Sequence, residues 1–551
     1  MTMIKKMTRA IYHPSLLGIV VFLIVAGGIS KPGITIDEPL DVAPGRHFWD
    51  VLKSQGPGFF SSSGVKQAFG GNPDHPPLVR WCLGASSYLF QTSQTIVLGH
   101  GDPTGLYILS ARLASALAFA ITVSLVAAWS SRQSGPLAGW CAGLALFCMP
   151  RVFAHAHLAA LETILNLFVT AAIFAWVDLL AEPDRNQSKY FLKPSLMLGL
   201  ALLCKIQAWL LGLWLVVILV RWRPSTRKIL LSVLSGIASI GIWFVGWPWL
   251  WYQSVDRIGE YFFRSIDRIS LKVMYFGEIF DDRALPWHYI PLQVATAIPI
   301  AIWILIFFGL SQSFFKTSDQ AIMRRKHIGL IACVASVLGI FSLPVSRYDG
   351  DRLILMIYPA LAVFAGTGGA VVDKKFRSYG YSGLVIPILV MVYLISALPS
   401  LKPFPLSYYN SIVGGTAGAA ERGLEPTYWA DAVDKSLLDE LLVQVKPGES
   451  VALIPTLHGT QAVMTTPYAM LIKGQVVRDQ AEWKLAHYLL VYRREAYWPE
   501  GVAQWVQNHE PILLRSRDGV WLAGLWRGPG KDKNGSEPVK NGQTGFLNKM
   551  P

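Results

Sequence analysis

The first four hundred residues carry apolar runs far longer and more continuous than a soluble core requires. About 20 consecutive apolar residues let a helix cross a bilayer. Inside lipid only helices and closed barrels satisfy every backbone polar group, and these runs are too long and unbroken for barrel strands. The runs therefore predict an α-helical polytopic membrane protein with about eleven transmembrane helices. The spans read near 13–30, 105–129, 136–150, 157–181, 194–204, 206–221, 229–249, 289–310, 328–345, 352–371 and 381–399. The region 194–221 reads alternatively as one helix.

Composition agrees: of 551 residues 52% are hydrophobic and only 15% charged, against about 25% charged in soluble domains. The formal net charge of +14 does not argue for nucleic acid, because the Lys and Arg residues sit mostly in short loops between apolar runs. With a cytoplasmic N-terminus, the loops 130–135, 182–193, 222–228, 311–327 and 372–380 fall inside, and each is basic, as the positive-inside rule asks. The C-terminus then falls outside. Lys5, Lys6 and Arg9 ahead of the first run read as a signal anchor, since no convincing small-residue cleavage site follows. Cys82, Cys141, Cys148, Cys204 and Cys333 include no Cys-x-x-Cys and no metal spacing, which predicts no disulfide framework.

Residues 1–400 thus form a membrane module with two long outer loops. The first, 31–104, holds a stretch from Pro76 to Leu98 that suits an amphipathic helix on the membrane surface. The second, 250–288, follows Trp247, Trp249 and Trp251, which read as an interfacial belt. Residues 401–527 have the composition of a small extracytoplasmic α/β domain. Helices are expected at Asp434–Val445 and Pro499–Asn508, and strands at Val451–Pro455, Gln475–Arg478, Tyr488–Tyr492 and Gly519–Trp526. The tail 528–551 reads as disordered, and Asn534-Gly-Ser in it matches a glycosylation sequon.

Several short motifs carry chemistry. Asp37 and Glu38, in Ile36-Asp-Glu-Pro39 after the first span, set two acids beside the membrane in what reads as a turn. They suit proton transfer or cation binding, or else a helix cap. His75 opens His75-Pro-Pro-Leu78 and is a proton carrier, or part of a stiffened turn. His155 and His157 flank a turn before the fourth span, and Glu162 lies about one turn inside that span. An acid at that depth costs about 2–3 kcal/mol unless paired or wet, although a helix N-terminus also favours it. Lys205 sits between two short apolar runs and either grips a lipid phosphate or snorkels. Ser346 to Arg352 brings Arg347, Asp349, Asp351 and Arg352 into one short polar loop, as phosphate donors or as internal ion pairs. By loop parity Asp37, His75, Glu162, Lys205 and Arg352 all fall on the outer side.

At these residues the chain resembles the GT-C glycosyltransferases of the protein O-mannosyltransferase and aminoarabinose-transferase type, including bacterial dolichyl-phosphate-mannose-protein mannosyltransferase-like proteins. The resemblance rests on Thr35 to Pro39, His75 to Leu78, Arg112 to Ser115, the His-rich turn, Trp287-His-Tyr289, Tyr348 to Arg352, Tyr408 to Gly415 and Tyr428-Trp429, in that order over about 13–430. It implies a GT-C fold and transfer of a sugar from a polyprenyl-phosphate donor to an acceptor hydroxyl, on the outer face of the plasma membrane, in a single inverting displacement. The acceptor is a protein, a lipid or a glycan. Asp37 would be the catalytic acid/base group, with Glu38 and Glu162 as further catalytic acids. Lys205, Arg347 and Arg352 would contact the donor phosphate, and His75, His155, His157 and Asp349 the substrate. Relatives often carry Asp where Glu162 stands. Some bind a divalent metal, but no ligand set here compels one. A transporter or lipid flippase is the alternative, disfavoured because the ionisable residues gather at one face rather than at the midplane. A non-catalytic assembly protein is a third reading, in which Asp37 is dispensable.

Overall fold

The computed structural model describes residues 13–71, 73–98, 101–102, 104–182, 188–313, 321–380, 385–458, 461 and 476–530. The basic N-terminus, Asn72, Arg185, Lys316, Gln475, Asn534 and the tail beyond residue 530 lie outside the described residues.

Helices form where the apolar runs lie. They are α1 (Pro14–Ala26), α2 (Asp37–Gln55), α3 (Ser62–Phe69), α4 (Leu78–Leu98), α5 (Ile108–Ser134), α6 (Pro136–Phe147), the short α7 (Pro150–His155), α8 (Leu161–Ala181), α9 (Ser188–Leu202), α10 (Leu210–Trp222) and α11 (Thr226–Gly246). After α12 (Ser254–Ile266) and a hairpin of β1 (Lys272–Tyr275) with β2 (Glu278–Asp281) come α13 (Tyr289–Ala297), α14 (Ile300–Gln312), α15 (Ala321–Ile340), α16 (Tyr358–Ser378) and α17 (Val385–Ile395). Among the described residues four stretches are long and apolar enough to cross a membrane: Ile108–Ser134, Leu161–Ala181, Thr226–Gly246 and Arg352–Ser378. Leu213, Val216 and Val220 on α10 and Val233, Ile237 and Val245 on α11 are exposed. In lipid such a surface meets a medium as apolar as itself.

Two expectations are corrected. The span 289–310 is broken: α13 and α14 meet at 107°, because Pro299 has no N–H to continue the helix. The region 194–221, by contrast, divides in two around Lys205, as the separate spans 194–204 and 206–221 expect. Trp247 is no belt residue: it is fully buried, with Trp243 and Tyr261 at 6.0 and 5.1 Å between ring centroids.

Ile36 to Pro39 is also not a turn but the start of α2, with both acids in its first turn, where the helix dipole favours negative charge. Helices α2 and α4 cross at Gly45 and Gly84. A Cβ on Gly84 would lie 2.3 Å from the Gly45 carbonyl carbon, so only glycine admits this approach. Gly84→Leu is expected to destabilise the chain by about 1–3 kcal/mol, read as a lower melting temperature in detergent.

The described parts of the basic loops meet at one end of the bundle. There Lys326 pairs with Asp178 at 2.8 Å and Glu182 at 2.7 Å, and Gln133, Gln312, Met323, Lys374 and Arg377 line one cleft. The opposite end receives α2, α4, α7 and the loop before α16. Residues 401–434 fold against that end: Asn410 Nδ2 donates to the carbonyls of Ala295 and Ile298, both at 2.7 Å, and Gly33 N–H to that of Asp431 at 2.7 Å. This stretch contains α18 (Gly415–Glu421). Next come α19 (Lys435–Gln444), β3 (Ser450–Ile454), β4 (Val476–Arg478), β5 (Tyr488–Tyr492), α20 (Val502–Asn508), β6 (Leu513–Arg517) and β7 (Val520–Arg527). The strands form a mixed sheet in the order β4-β3-β5-β7-β6, with β3 parallel to both neighbours. Strand β6 was not among the expected strands.

Candidate functional site

Arg352, at the loop before α16, organises the acid-rich end. Its three nitrogens reach three carboxylates: Nη2 to Asp37 Oδ2 at 2.5 Å, Nε to Glu162 Oε1 at 2.9 Å and Nη1 to Asp349 Oδ2 at 2.8 Å. The Trp429 ring centroid lies 4.0 Å from its guanidinium carbon, a cation–π contact. Lys205, at the break between α9 and α10, adds a second cation to Glu162 Oε1 at 2.6 Å. Glu162 Oε2 is buried and accepts no hydrogen bond among the described residues. Glu162, Lys205, Arg352 and Asp349 have side chains at most 6% exposed, whereas Asp37 is 27% exposed. Asp37 is therefore the carboxylate of this cluster that an incoming molecule reaches.

The loop that delivers Arg352 needs the left-handed backbone region. Asp349 has φ +56° and Gly350 φ +64°, a conformation that short Asp and Gly accept best. A Cβ on Gly350 would sit 2.8 Å from Arg151 Nη1. That nitrogen donates to Asp351 Oδ1 at 2.7 Å and to Gln293 Oε1 at 2.9 Å, and Tyr358 Oη donates to Asp351 Oδ2. Asp351 thus anchors the loop while Asp349 and Arg352 turn toward Asp37.

Glu38 turns the other way from Asp37. Its Oε1 accepts from Arg112 Nε at 2.6 Å and the Ala159 N–H at 2.7 Å, and its Oε2 from Arg112 Nη2 at 2.7 Å and the Thr35 N–H at 2.8 Å. Arg112 also donates to the carbonyls of Ile29, Pro32 and Gly33. Arg347 stands apart from the carboxylates too, donating to the carbonyls of Leu285 and Pro286. His157 hydrogen-bonds through Nδ1 to the Phe153 carbonyl at 2.8 Å. His155 is buried with its ring centroid 5.0 Å from that of Trp429, and neither ring nitrogen has a hydrogen-bond partner among the described residues. His75 is half-buried ahead of α4. Lost hydration, then the positive Arg80 and Lys205, hold its imidazole well below the ordinary range, hence neutral at pH 7.

Two acids escaped the reading of the sequence. Asp41 lies one turn after Asp37 on α2, is buried, and meets Arg80 Nε at 3.4 Å. Burial raises its pKa to about 7, against the pull of Arg80. An i, i+4 pair of acids would have flagged it had 37–55 been read as a helix. Glu425, in the segment after α18, is pushed up to about 8 by burial, Arg494 opposing. A carboxyl raised in the folded state stabilises it fully below the unfolded value of 4.5, and that contribution is lost as pH rises through about 8. Glu425→Gln is accordingly expected to show a smaller fall in melting temperature between pH 5 and 9 than wild type, with each pH unit in the window worth up to about 1.4 kcal/mol.

The carboxylates of this cluster fit a guanidinium rather than a divalent cation. Asp37, Glu162 and Asp349 all converge on Arg352, and no group of three or more His, Cys, Asp or Glu suited to a metal occurs among the described residues.

Residues 74–252 match the protein family described as dolichyl-phosphate-mannose-protein mannosyltransferase. Curated proteins give no match. Among solved structures, the chain is similar to ArnT from Cupriavidus metallidurans in the apo state, with 17% identity and a TM-score of 0.49 over 93% of this chain and 97% of that one. The same enzyme bound to undecaprenyl phosphate gives 15% identity and a TM-score of 0.48 over the same shares. The Archaeoglobus fulgidus oligosaccharyltransferase in the apo form gives 9% and 0.45, over 93% of this chain and 74% of that one. The family match spans the His75 loop, α4, Glu162 and Lys205, and this likeness marks the chain as a glycosyltransferase.

Proposed function

We propose that the chain transfers a sugar from a polyprenyl-phosphate donor to an acceptor hydroxyl at its acid-rich end, and that this end faces outward from the plasma membrane. The observation that carries the reading is the exposure of Asp37 beside two buried cations, Arg352 and Lys205. The donor class follows the family that residues 74–252 match, whose described donor is a sugar on dolichyl phosphate. The orientation follows the basic loops gathered at the opposite end, which the positive-inside rule assigns to the cytoplasm.

In this reading Asp37 takes the proton of the acceptor hydroxyl. The acceptor oxygen attacks the anomeric carbon, and the bond to the phosphate oxygen breaks with inversion. Negative charge grows on the departing polyprenyl phosphate. Arg352 and Lys205 stabilise it from a buried frame, where fixed charges act more strongly than in water. Glu162 keeps both cations in place, and the neutral His75 offers a hydrogen bond to the substrate. Asp349 orients Arg352. His155 presents its unengaged nitrogens near Trp429. Glu38, Arg347 and His157 belong to the frame.

Sugar transfer in membranes containing the chain tests this reading. Radiolabelled sugars on polyprenyl phosphate are offered with a crude envelope extract as acceptor. Transfer that depends on the chain is the expected result. No transfer across a fair panel of donors would favour a transporter.

A further inference from the structure

The C-terminal sheet sends one side chain into the cluster. Arg494 follows β5, is buried, and donates through Nη2 to Asp349 Oδ1 at 2.9 Å. The other oxygen of the same carboxylate accepts from Arg352 Nη1 at 2.8 Å. One carboxylate thus joins a guanidinium of the sheet domain to the guanidinium that holds Asp37. A second link runs in parallel. Arg494 Nη1 donates to the Tyr428 carbonyl at 2.6 Å, and the next residue, Trp429, lies under Arg352. Both arginines are therefore set against Asp349 and against the adjacent pair Tyr428-Trp429.

Arg352 is shared by three acids, and how it divides among them depends on their competing charge. With Arg494 in place, Asp349 has its own cation and leaves Arg352 to bridge Asp37 and Glu162. Without Arg494, Asp349 is a buried carboxylate with Arg352 as its remaining ion-pair partner. A buried charge claims its partner strongly, so Arg352 is drawn toward Asp349 and away from Asp37.

We propose that Arg494 is a positioning residue for sugar transfer, acting through Asp349 to hold Arg352 against Asp37. The proposal rests on the reading that this cluster transfers sugar from polyprenyl phosphate. It makes the sheet domain part of the site rather than an appendage.

The test uses the full-length chain in lipid nanodiscs with a polyprenyl-phosphate sugar that wild type accepts. The variants are Arg494→Gln, Arg494→Lys, Asp349→Asn, the Arg494→Gln/Asp349→Asn double variant, and Asp37→Asn as reference. Arg494→Gln is expected to lower kcat about tenfold with donor KM nearly unchanged, because Arg352 acts on charge that develops during the reaction. Arg494→Lys recovers part of the loss, since it keeps a cation on Asp349. The double variant is no worse than Arg494→Gln alone, as residues acting through one contact are not additive. Full activity of a folded Arg494→Gln chain, or losses that multiply in the double variant, overturn the proposal. Should Arg494→Gln fail to fold, Arg494→Lys decides: a kcat equal to wild type overturns it, and a lowered kcat at constant KM upholds it. An active Asp37→Asn chain removes the underlying reading, whereas an inactive one beside a fully active Arg494→Gln chain removes only the positioning role.

Discussion

Asp37→Asn is expected to lower sugar transfer about a thousandfold while the chain stays folded. Asparagine keeps the size of the side chain and its place in the first turn of α2, but cannot take up the acceptor's proton. The fold should tolerate the change because Asp37 is the exposed member of the cluster and Arg352 keeps Glu162 and Asp349. Asp37→Glu should also lose activity, since one added methylene moves the carboxylate by more than an aligned proton transfer tolerates. The check is initial-rate transfer at matched expression, with melting temperature measured beside it. A thousandfold loss without a melting shift assigns the chemistry to Asp37. A rate equal to wild type would take Asp37 out of the reaction.

The neighbouring acid is expected to behave in the opposite way. Glu38→Ala or Arg112→Ala should destabilise the chain by about 3–5 kcal/mol, enough to deplete it from the membrane. Both side chains are fully buried, so removing either strands a charge with no water to receive it. The double substitution Glu38→Leu/Arg112→Met is expected to recover only part of the loss. Arg112 also donates to the carbonyls of Ile29, Pro32 and Gly33, and methionine offers them no donor. Quantifying the folded chain by fluorescence-detected size exclusion separates the two acids: Asp37→Asn accumulates normally and Glu38→Ala does not. Normal accumulation of Glu38→Ala would mean that the pair contributes little to the frame.

The helices of the bundle were legible because hydrophobicity over about 20 residues is a strong signal. Helix α2 was not, since Asp-Glu-Pro, Pro44 and Gly45 read as breakers while its partner α4 lies far along the chain. Strand β6, Leu513-Leu-Arg-Ser-Arg517, lacks clean alternation, and its pairing with β7 supplies what its own sequence does not. For the site, loop parity put Asp37, His75, Glu162, Lys205 and Arg352 on one side, and the structure joins four of them, Asp37, Glu162, Lys205 and Arg352, through ion pairs. Side-chain direction was beyond sequence reasoning. Nothing in Asp37-Glu38 tells which acid faces Arg352 and which faces Arg112. Nothing in Arg347 foretells that its guanidinium meets carbonyls. Arg494 carried no signal at all, because its meaning comes from the docking of the sheet on the loop at Asp349.

Arg352 meets Asp37 across 315 residues of chain and Glu162 across 190, whereas Glu38 and Arg112 are only 74 apart. Synthesis at about 5–20 residues per second separates these events. The Glu38–Arg112 frame can close soon after α5 enters the bilayer. Asp37 then waits on the order of tens of seconds for its cation, and Glu162 has only Lys205 until Arg352 arrives. Biogenesis thus assembles the scaffold first and the charged centre last. A ribosome that stalls before residue 352 leaves behind a chain that has a built frame, an unfinished centre and a buried acid held by one lysine, the kind of intermediate that membrane quality control is placed to remove.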